Sequence, residues 1–442
     1  MKYIKSIISK VKNNNFYKSL FKNSFWAFTG DFSASLLNLV VTIILIRLIG
    51  SFQLGVLVLA QTYMQIIDVI LNVQSWKSVI QFGQDALVKK NTKRLISYIK
   101  LGVSIDVITA LLGGFVAIFL SPIVGSLLHW TNEAIMCASI FSITIFSHLS
   151  GTSTALLRIF DKFHLVAFQK FITALIKVIS LLIIFVYFRN MNLIMVTIIY
   201  CITDIIGNLL LVLFAVMEYK KKYHVKDLIK SKYPKDFKEF TKFTLWSTLG
   251  DITDIPVNYL DVFIISLLGT NMVAIFKVFK QCVTILKRVT SAIQQAIMPQ
   301  FSSLVAEGKK KRGFDIVKKI RNMILKVMLP FGLIIGLTSI IWLNIFFGQE
   351  YADKWYILLI YLIIQIIALS FASLHPLYIS LNKVKEDALI AFISNMMYLI
   401  IAYVLVKNIG MMGLVIAFAV QSGTIISIKY FHVKKSVKEV KV

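Results

Sequence analysis

Apolar residues run through this 442-residue chain in long stretches separated by short polar or charged connections, and twelve of those stretches approach bilayer-spanning length. Their breaks predict spans near residues 25–49, 54–76, 101–121, 134–155, 165–188, 192–217, 243–268, 271–298, 322–348, 355–380, 387–406 and 410–431. Residues 36–45 and 357–369 are dominated by aliphatic side chains. In hydrocarbon every backbone group must be satisfied within the structure, so such runs form helices or closed barrels. Period-two alternation is absent, which selects helices. The expected fold class is therefore an all-α polytopic membrane protein of about 12 transmembrane helices.

Composition agrees: 58% of residues are hydrophobic, 16% are charged and mean hydropathy is +0.79, against roughly half apolar and a quarter charged in soluble domains. The net charge of +27 matters through its placement. Basic residues fill alternate connections: Lys2, Lys5, Lys10, Lys12, Lys18 and Lys22; Lys89, Lys90, Lys93 and Arg94; Lys220 to Lys242; Lys309 to Arg312; and Lys434, Lys435 and Lys438. The intervening connections hold Arg189, Lys354 and Lys407. The positive-inside rule then places both termini in the cytoplasm and requires an even number of spans. These lysines are expected to set topology and attract anionic membrane lipids, with no nucleic-acid partner. The first apolar run is too long for a cleavable signal peptide and lacks a small-residue cleavage pattern. Cys137, Cys201 and Cys282 are isolated and imply neither a disulfide framework nor a metal site.

The two halves of the chain resemble each other. FWAFTGD at Phe25 to Asp31 returns as LWSTLGD at Leu245 to Asp251, and Asn38 and Asn258 each stand seven residues past the aspartate. IRLIGSFQLG from Ile46 meets ISLLGTNMVA from Ile265, IQFGQDALVKKNTKR from Ile80 meets PQFSSLVAEGKKKRG from Pro299, and more weakly LLRIFDKFHL from Leu156 meets LYISLNKVKE from Leu377. A repeat with an even number of spans keeps both halves in one orientation, related by a pseudo-two-fold axis along the membrane normal, which is a transporter architecture. The expected division is a basic arm at 1–24, an N-terminal six-helix bundle at 25–217, a cytoplasmic linker at 218–242 with a short amphipathic helix, a C-terminal bundle at 243–431 and a tail at 432–442.

Ionisable side chains inside spans are costly and mark bundle interiors or wet cavities. At 100° per residue, Asp31, Ser35, Asn38 and Thr42 share an arc of the first span, and Gln61, Gln65, Asp68 and Asn72 share one of the second. The seventh carries Thr244, Ser247, Asp251, Asp254, Asn258 and Asp261 as one acidic stripe, with Pro256 placed to break it. The eighth carries Lys277, Lys280, Lys287 and Arg288, and the fifth adds Lys170 and Lys177. Such cations suit an anionic substrate, since phosphate oxygens accept charge-assisted hydrogen bonds. Mutual neutralisation of the acidic and basic stripes is the competing reading. Residues equally far from the turn at Gly269 lie level, which sets Asp261 beside Lys280 and Asp254 beside Lys287. Arg47 is expected to snorkel to an interface. The six histidines are scattered and no HExxH, GxSxG or phosphate-loop motif occurs, so an enzyme is not expected; His375 reads as a packed or pore-lining residue rather than a base.

The first-span motif, the IRLIGSFQLGVL turn, the MPQFSSLVAEGKKKRG exit from the eighth span and the twelve-span plan together resemble the polysaccharide transporter family, the Wzx-type oligosaccharide flippases of the multidrug/oligosaccharidyl-lipid/polysaccharide exporter superfamily. The resemblance implies a V of two six-helix bundles, a cleft lined by helices one, two, seven and eight, and alternating access. It implies export of undecaprenyl-diphosphate-linked repeat units for O-antigen, capsule or a related envelope polysaccharide across the bacterial cytoplasmic membrane. No cofactor is expected; proton or sodium coupling stays open, with Asp31, Asp68 and the seventh-span aspartates as candidates. Polysaccharide polymerase and chain-length machinery are candidate partners. A cation-coupled drug exporter of the same superfamily is the alternative, and a membrane enzyme of polysaccharide assembly a more distant one.

Overall fold

The computed structural model describes residues 15–73, 75–187 and 192–438. Lys2, Lys5, Lys10, Lys12 and Arg189 lie outside the described residues, as do the side chains of Lys18 and Lys438. Among the described residues every regular element is helical. Helix α1 (Asn15–Leu71) is two helices meeting at a kink at Gly50, whose φ of 74° interrupts the helical course. Then follow α2 (Trp76–Val88), α3 (Thr92–Leu127), α4 (Asn132–Ile143), a 3-10 turn (Thr144–Ser147), α5 (Ser150–Ile159), α6 (Phe163–Tyr187), α7 (Leu193–Lys220) and the short α8 (Val225–Lys230). Helix α9 (Phe237–Ile252), a π-turn (Pro256–Leu260) and α10 (Asp261–Ser266) make up the seventh predicted span. The rest comprises α11 (Thr270–Ala306), α12 (Lys310–Leu337), α13 (Ser339–Phe347), α14 (Gln349–Ala352), α15 (Trp355–Ser370), α16 (Leu374–Ser380), α17 (Val384–Ile409) and α18 (Met411–Lys438). Side-chain caps open several of these helices: Asn91 accepts from the Arg94 N–H, Thr131 from Ala134 and Asn192 from Met195.

Among the described residues nine helical stretches are long and apolar enough to cross a bilayer, and the first, Lys22–Val88, runs for 67 residues, over twice what one crossing needs. Residues 243–268 and 271–298 are not among the nine. The first is interrupted at Pro256, and the second carries Lys277, Lys280, Lys287 and Arg288.

Contacts divide the chain into two units, residues 40–255 and residues 1–39 with 256–442. The sequence reading puts the division in the 218–242 linker instead. The reason for the difference is local: α9 stays with the first half, because Ser78 and Thr244 hydroxyls meet at 2.6 Å and Lys77 Nζ bonds Asp251. The linker is likewise tied down, since Lys100 donates to the carbonyls of Ile229 and Ser231, both at 2.7 Å. The 40–255 unit is centred on Val79, Leu95, Tyr98, Phe160, Tyr219 and Phe240. The other is centred on Phe301, Phe314, Val317, Leu377, Tyr378 and Val433, with Gly332 and Gly336 of α12 closely approached by Ile366 and Leu359 of α15.

The repeat is written into the backbone. Left-handed residues occur at Gly50 and Gly269, Lys90 and Gly308, His129 and Gly348, and Asp161 and Asn382. Their spacings are 219, 218, 219 and 221 residues (269 less 50, 308 less 90, 348 less 129, 382 less 161). Gly410 is the remaining one, and the region one repeat before it lies outside the described residues.

Candidate functional site

In the unit that holds residues 256–442, Pro256 breaks the seventh segment and the π-turn that follows leaves carbonyls without helical partners. Lys280 of α11 takes them up. Its Nζ donates to the Asn258 carbonyl at 2.7 Å, to Val257 at 3.3 Å, and to both oxygens of Asp261 at 2.6 and 2.8 Å. Asp261 is 2% exposed. The level placement expected from the Gly269 turn is thus a closed ion pair. The acidic stripe does not continue as one face, because the π-turn separates Asp251 and Asp254 from Asp261, and Asp254 belongs to the 40–255 unit.

The same α11 carries three further cations. Arg288 Nη1 lies 3.7 Å from Asp31 Oδ2, and Arg288 Nε is buried without a hydrogen-bond partner. Lys287 Nζ stands 6.0 Å from the Phe418 ring centroid, and Lys277 is half-buried one turn before Lys280. The Asn38 carbonyl accepts from Gln281 at 3.4 Å, and Asn258 is exposed beside its own bonded carbonyl. The structure therefore gathers Asp31, Asn38, Asn258, Asp261, Lys277, Lys280, Lys287 and Arg288 in one unit.

In the 40–255 unit, Asp68 is buried and lies 2.9 Å from His148 Nδ1. Asn72 donates to Asp68 and to the His148 carbonyl, and accepts from Thr109. Lys177 is bonded to Asp204 at 2.7 Å, with its ammonium 4.2 Å from the Tyr200 ring. Lys170 is half-buried one helical stretch away on α6. Asp251 is exposed and accepts two hydrogen bonds from Lys77, at 2.9 and 3.0 Å. Asp106, 2% exposed, accepts from the backbone N–H groups of Ser75 at 3.2 Å and Thr152 at 2.6 Å, so one carboxylate caps the starts of both α2 and α5. A Cβ on Gly151 would sit 2.9 Å from that carboxylate.

Sequence reasoning missed Lys77, Asp106, His148 and Asp204. For Asp106 and Asp204 the signal was available, as isolated carboxylates inside apolar runs. For Lys77 and His148 only the fold reveals the partner. His375 packs with its Nδ1 3.4 Å from Asp387, which is itself paired with Lys429 at 2.5 Å. Outside the spans, burial works against ionising Asp236, but hydrogen bonds from the Tyr98 hydroxyl at 2.6 Å and Arg94 at 2.8 Å outweigh it and hold its carboxyl below the usual carboxylate range.

Residues 20–305 match the model of a family described as polysaccharide biosynthesis protein. Over 157 residues the chain is 27% identical to the inner membrane protein YghQ of Escherichia coli (strain K12), a match covering 35% of this chain and 43% of that protein. Over 189 residues it is 28% identical to a Shigella flexneri protein whose name assigns it to O-antigen transport, covering 42% and 44% respectively. The chain thus spans less than half the length of these two relatives. Among solved structures, an inward-facing multidrug resistance transporter of the MATE family and MOP superfamily superposes with a TM-score of 0.72 at 14% identity, covering 92% of this chain and 95% of that one. A MOP superfamily transporter from Pyrococcus furiosus gives 0.66 at 14% identity, covering 96% of each. The all-helical fold is therefore that of MOP-type transporters.

Proposed function

The chain belongs to the polysaccharide biosynthesis protein family, and from that premise we propose that it is a flippase for lipid-linked oligosaccharides. Its substrate is a polyprenyl-diphosphate-linked repeat unit of O-antigen, capsule or a related polysaccharide. The membrane is the bacterial cytoplasmic membrane, crossed twelve times by two six-helix bundles with both termini inside. The observation that carries the reading is the cationic face of α11. Of its four cations, Lys280 is closed by Asp261, whereas the Arg288 side chain is 41% exposed and 3.7 Å from its carboxylate. A guanidinium so placed suits phosphate oxygens, which it can bind bidentately. Asn38 and Asn258, in the same unit, offer exposed polar groups to a glycan, while the lipid tail remains in hydrocarbon. An inside-negative potential favours outward movement of an anion by about 2.3 kcal/mol per charge per 100 mV.

The test replaces Arg288 or Lys287 with Gln. Both variants should reach the membrane at native abundance and lose surface polysaccharide. Normal surface polysaccharide in both removes the reading. The fold relatives include multidrug transporters, so drug susceptibility is measured beside export. Sensitisation on deletion, with surface polysaccharide unchanged, would favour a drug exporter. The cations of α11 argue against that, since a cationic drug prefers an acidic cavity.

A further inference from the structure

The repeat ends each opening motif on an aspartate, Asp31 and Asp251. Asp31 stands 19 residues before the left-handed Gly50, and Asp251 stands 18 before the left-handed Gly269. Along α1, which is helical from Asp31 to Gly50, 1.5 Å per residue gives roughly 29 Å, close to the ~30 Å of a hydrocarbon core. Asp31 therefore lies near the membrane face opposite the Gly50 turn, the depth at which a lipid diphosphate rests, and Asp251 is its counterpart in the repeat.

Each is matched with a cation from the other half of the sequence. Asp31 faces Arg288 at 3.7 Å, and Asp251 accepts from Lys77 at 2.9 and 3.0 Å. These pairs are open. Side-chain exposure is 41% and 26% for Arg288 and Asp31, and 32% and 53% for Lys77 and Asp251. In the closed pairs the Asp261 carboxylate is 2% exposed and the Lys177 side chain 8%. A buried pair cannot change partner without stranding a charge. An exposed pair is weakly held, and a phosphate brings more charge and more acceptor oxygens than a carboxylate. Lys77 also lies 5.4 Å from the Trp76 ring centroid, and Arg158 lies 4.9 Å from the same ring. A second cation and an aromatic surface thus adjoin the first.

We propose that Arg288 and Lys77 are two anion-capture positions, one in each unit, each occupied by its motif carboxylate until a diphosphate headgroup displaces it. The assignment rests on the flippase reading and extends it: Lys77 joins the substrate-binding residues, and Asp31 and Asp251 become competitors of the substrate rather than its ligands.

The test is equilibrium binding of farnesyl diphosphate, inorganic pyrophosphate and phosphatidylglycerol to the purified full-length protein in neutral detergent. Asp31→Asn and Asp251→Asn should each tighten farnesyl diphosphate binding about two- to fivefold, the worth of an exposed ion pair. Lys77→Gln and Arg288→Gln should weaken it by about tenfold, while Lys77→Arg stays near the parent value and reports on folding. Unchanged or weaker binding in both aspartate variants overturns the proposal, because a merely structural carboxylate would not tighten binding when removed. Displacement by phosphatidylglycerol as effective as by pyrophosphate also overturns it, by assigning the positions to bulk lipid. The two readings fail separately. The predicted affinities without oligosaccharide export would remove the flippase and keep the capture sites, and export with unaltered affinities would do the reverse.

Discussion

Replacing Lys280 with Met tests what holds the interrupted seventh segment together. The substitution deletes the donor that serves both Asp261 oxygens and the Asn258 and Val257 carbonyls. Asp261 is almost wholly buried, so stranding its charge costs about 3–5 kcal/mol. The Asn258 carbonyl, bonded at 2.7 Å, adds about 1–3 kcal/mol for a lost partner. Asp261→Asn removes less. The ammonium keeps its two carbonyls, and the Asn oxygen can still accept, so its cost falls near the lower end of the same range, about 3 kcal/mol. Thermal unfolding in detergent, followed by fluorescence-detected gel filtration, should rank Lys280→Met well below Asp261→Asn, and Asp261→Asn below the parent. The double variant Lys280→Met with Asp261→Leu should recover most of the pair's cost but remain below the parent, because the π-turn carbonyls stay unpaired. Equal melting temperatures for Lys280→Met and Asp261→Asn would refute the reasoning. The carbonyl contacts would then contribute nothing, and the π-turn would hold itself.

Three shorter tests follow. Single cysteines at Lys222 and Lys310 should be protected from an impermeant thiol reagent in intact cells while ones at Gln349 and Asn408 react; labelling at Lys310 from outside sinks the proposed topology. A Cβ on Gly207 would lie 2.4 Å from the Thr173 hydroxyl, so Gly207→Ala should destabilise by about 1–3 kcal/mol as overpacking does, and adding Thr173→Ala should restore most of it in the same melting assay. Asp236 has a depressed folded-state pKa, so its contribution is full above its unfolded value near 3.9 and is lost as pH falls through the lower folded value; proteolysis of residues 225–236 should therefore rise at acid pH in the parent, and Asp236→Asn should already be cleaved at neutral pH.

The all-helical membrane class and the repeat were legible because both rest on local pattern. Apolar run length fixes a crossing, and the motif pairs fix the correspondence that the backbone turns repeat. The level pairing of Asp261 with Lys280 was legible for the same reason, since helical rise from one tight turn determines height. The rest needed tertiary information. Nothing local indicates that α9 leaves its own half to pack on α2, and that is what sets Asp251 against Lys77 and assigns Asp254 to the other unit from Lys287. Lys177 was expected to line a cavity from its helical face alone. The side chain instead faces Asp204 on the next helix, a carboxylate with no periodic companions to mark it. Pro256 announced a break, but the use of the freed carbonyls depended on a lysine some twenty residues away.

The left-handed turns outlast the chemistry they frame. Non-glycine residues adopt that conformation rarely, with Asn, Asp and His favoured, and three of those types occupy the turns at His129, Asp161 and Asn382. The residues between the turns have drifted apart. One repeat before Asp261 stands Thr42, and one repeat before Lys280 stands Gln61 (261 less 219, 280 less 219). The ancestral unit therefore persists as a chassis whose joints are inherited while its electrical fittings are not. Among the described residues only the later copy carries the lysine-held break, so the two halves of this duplicated machine differ there, the later one holding a fixed ion pair where the earlier one has the uncharged Thr42 and Gln61.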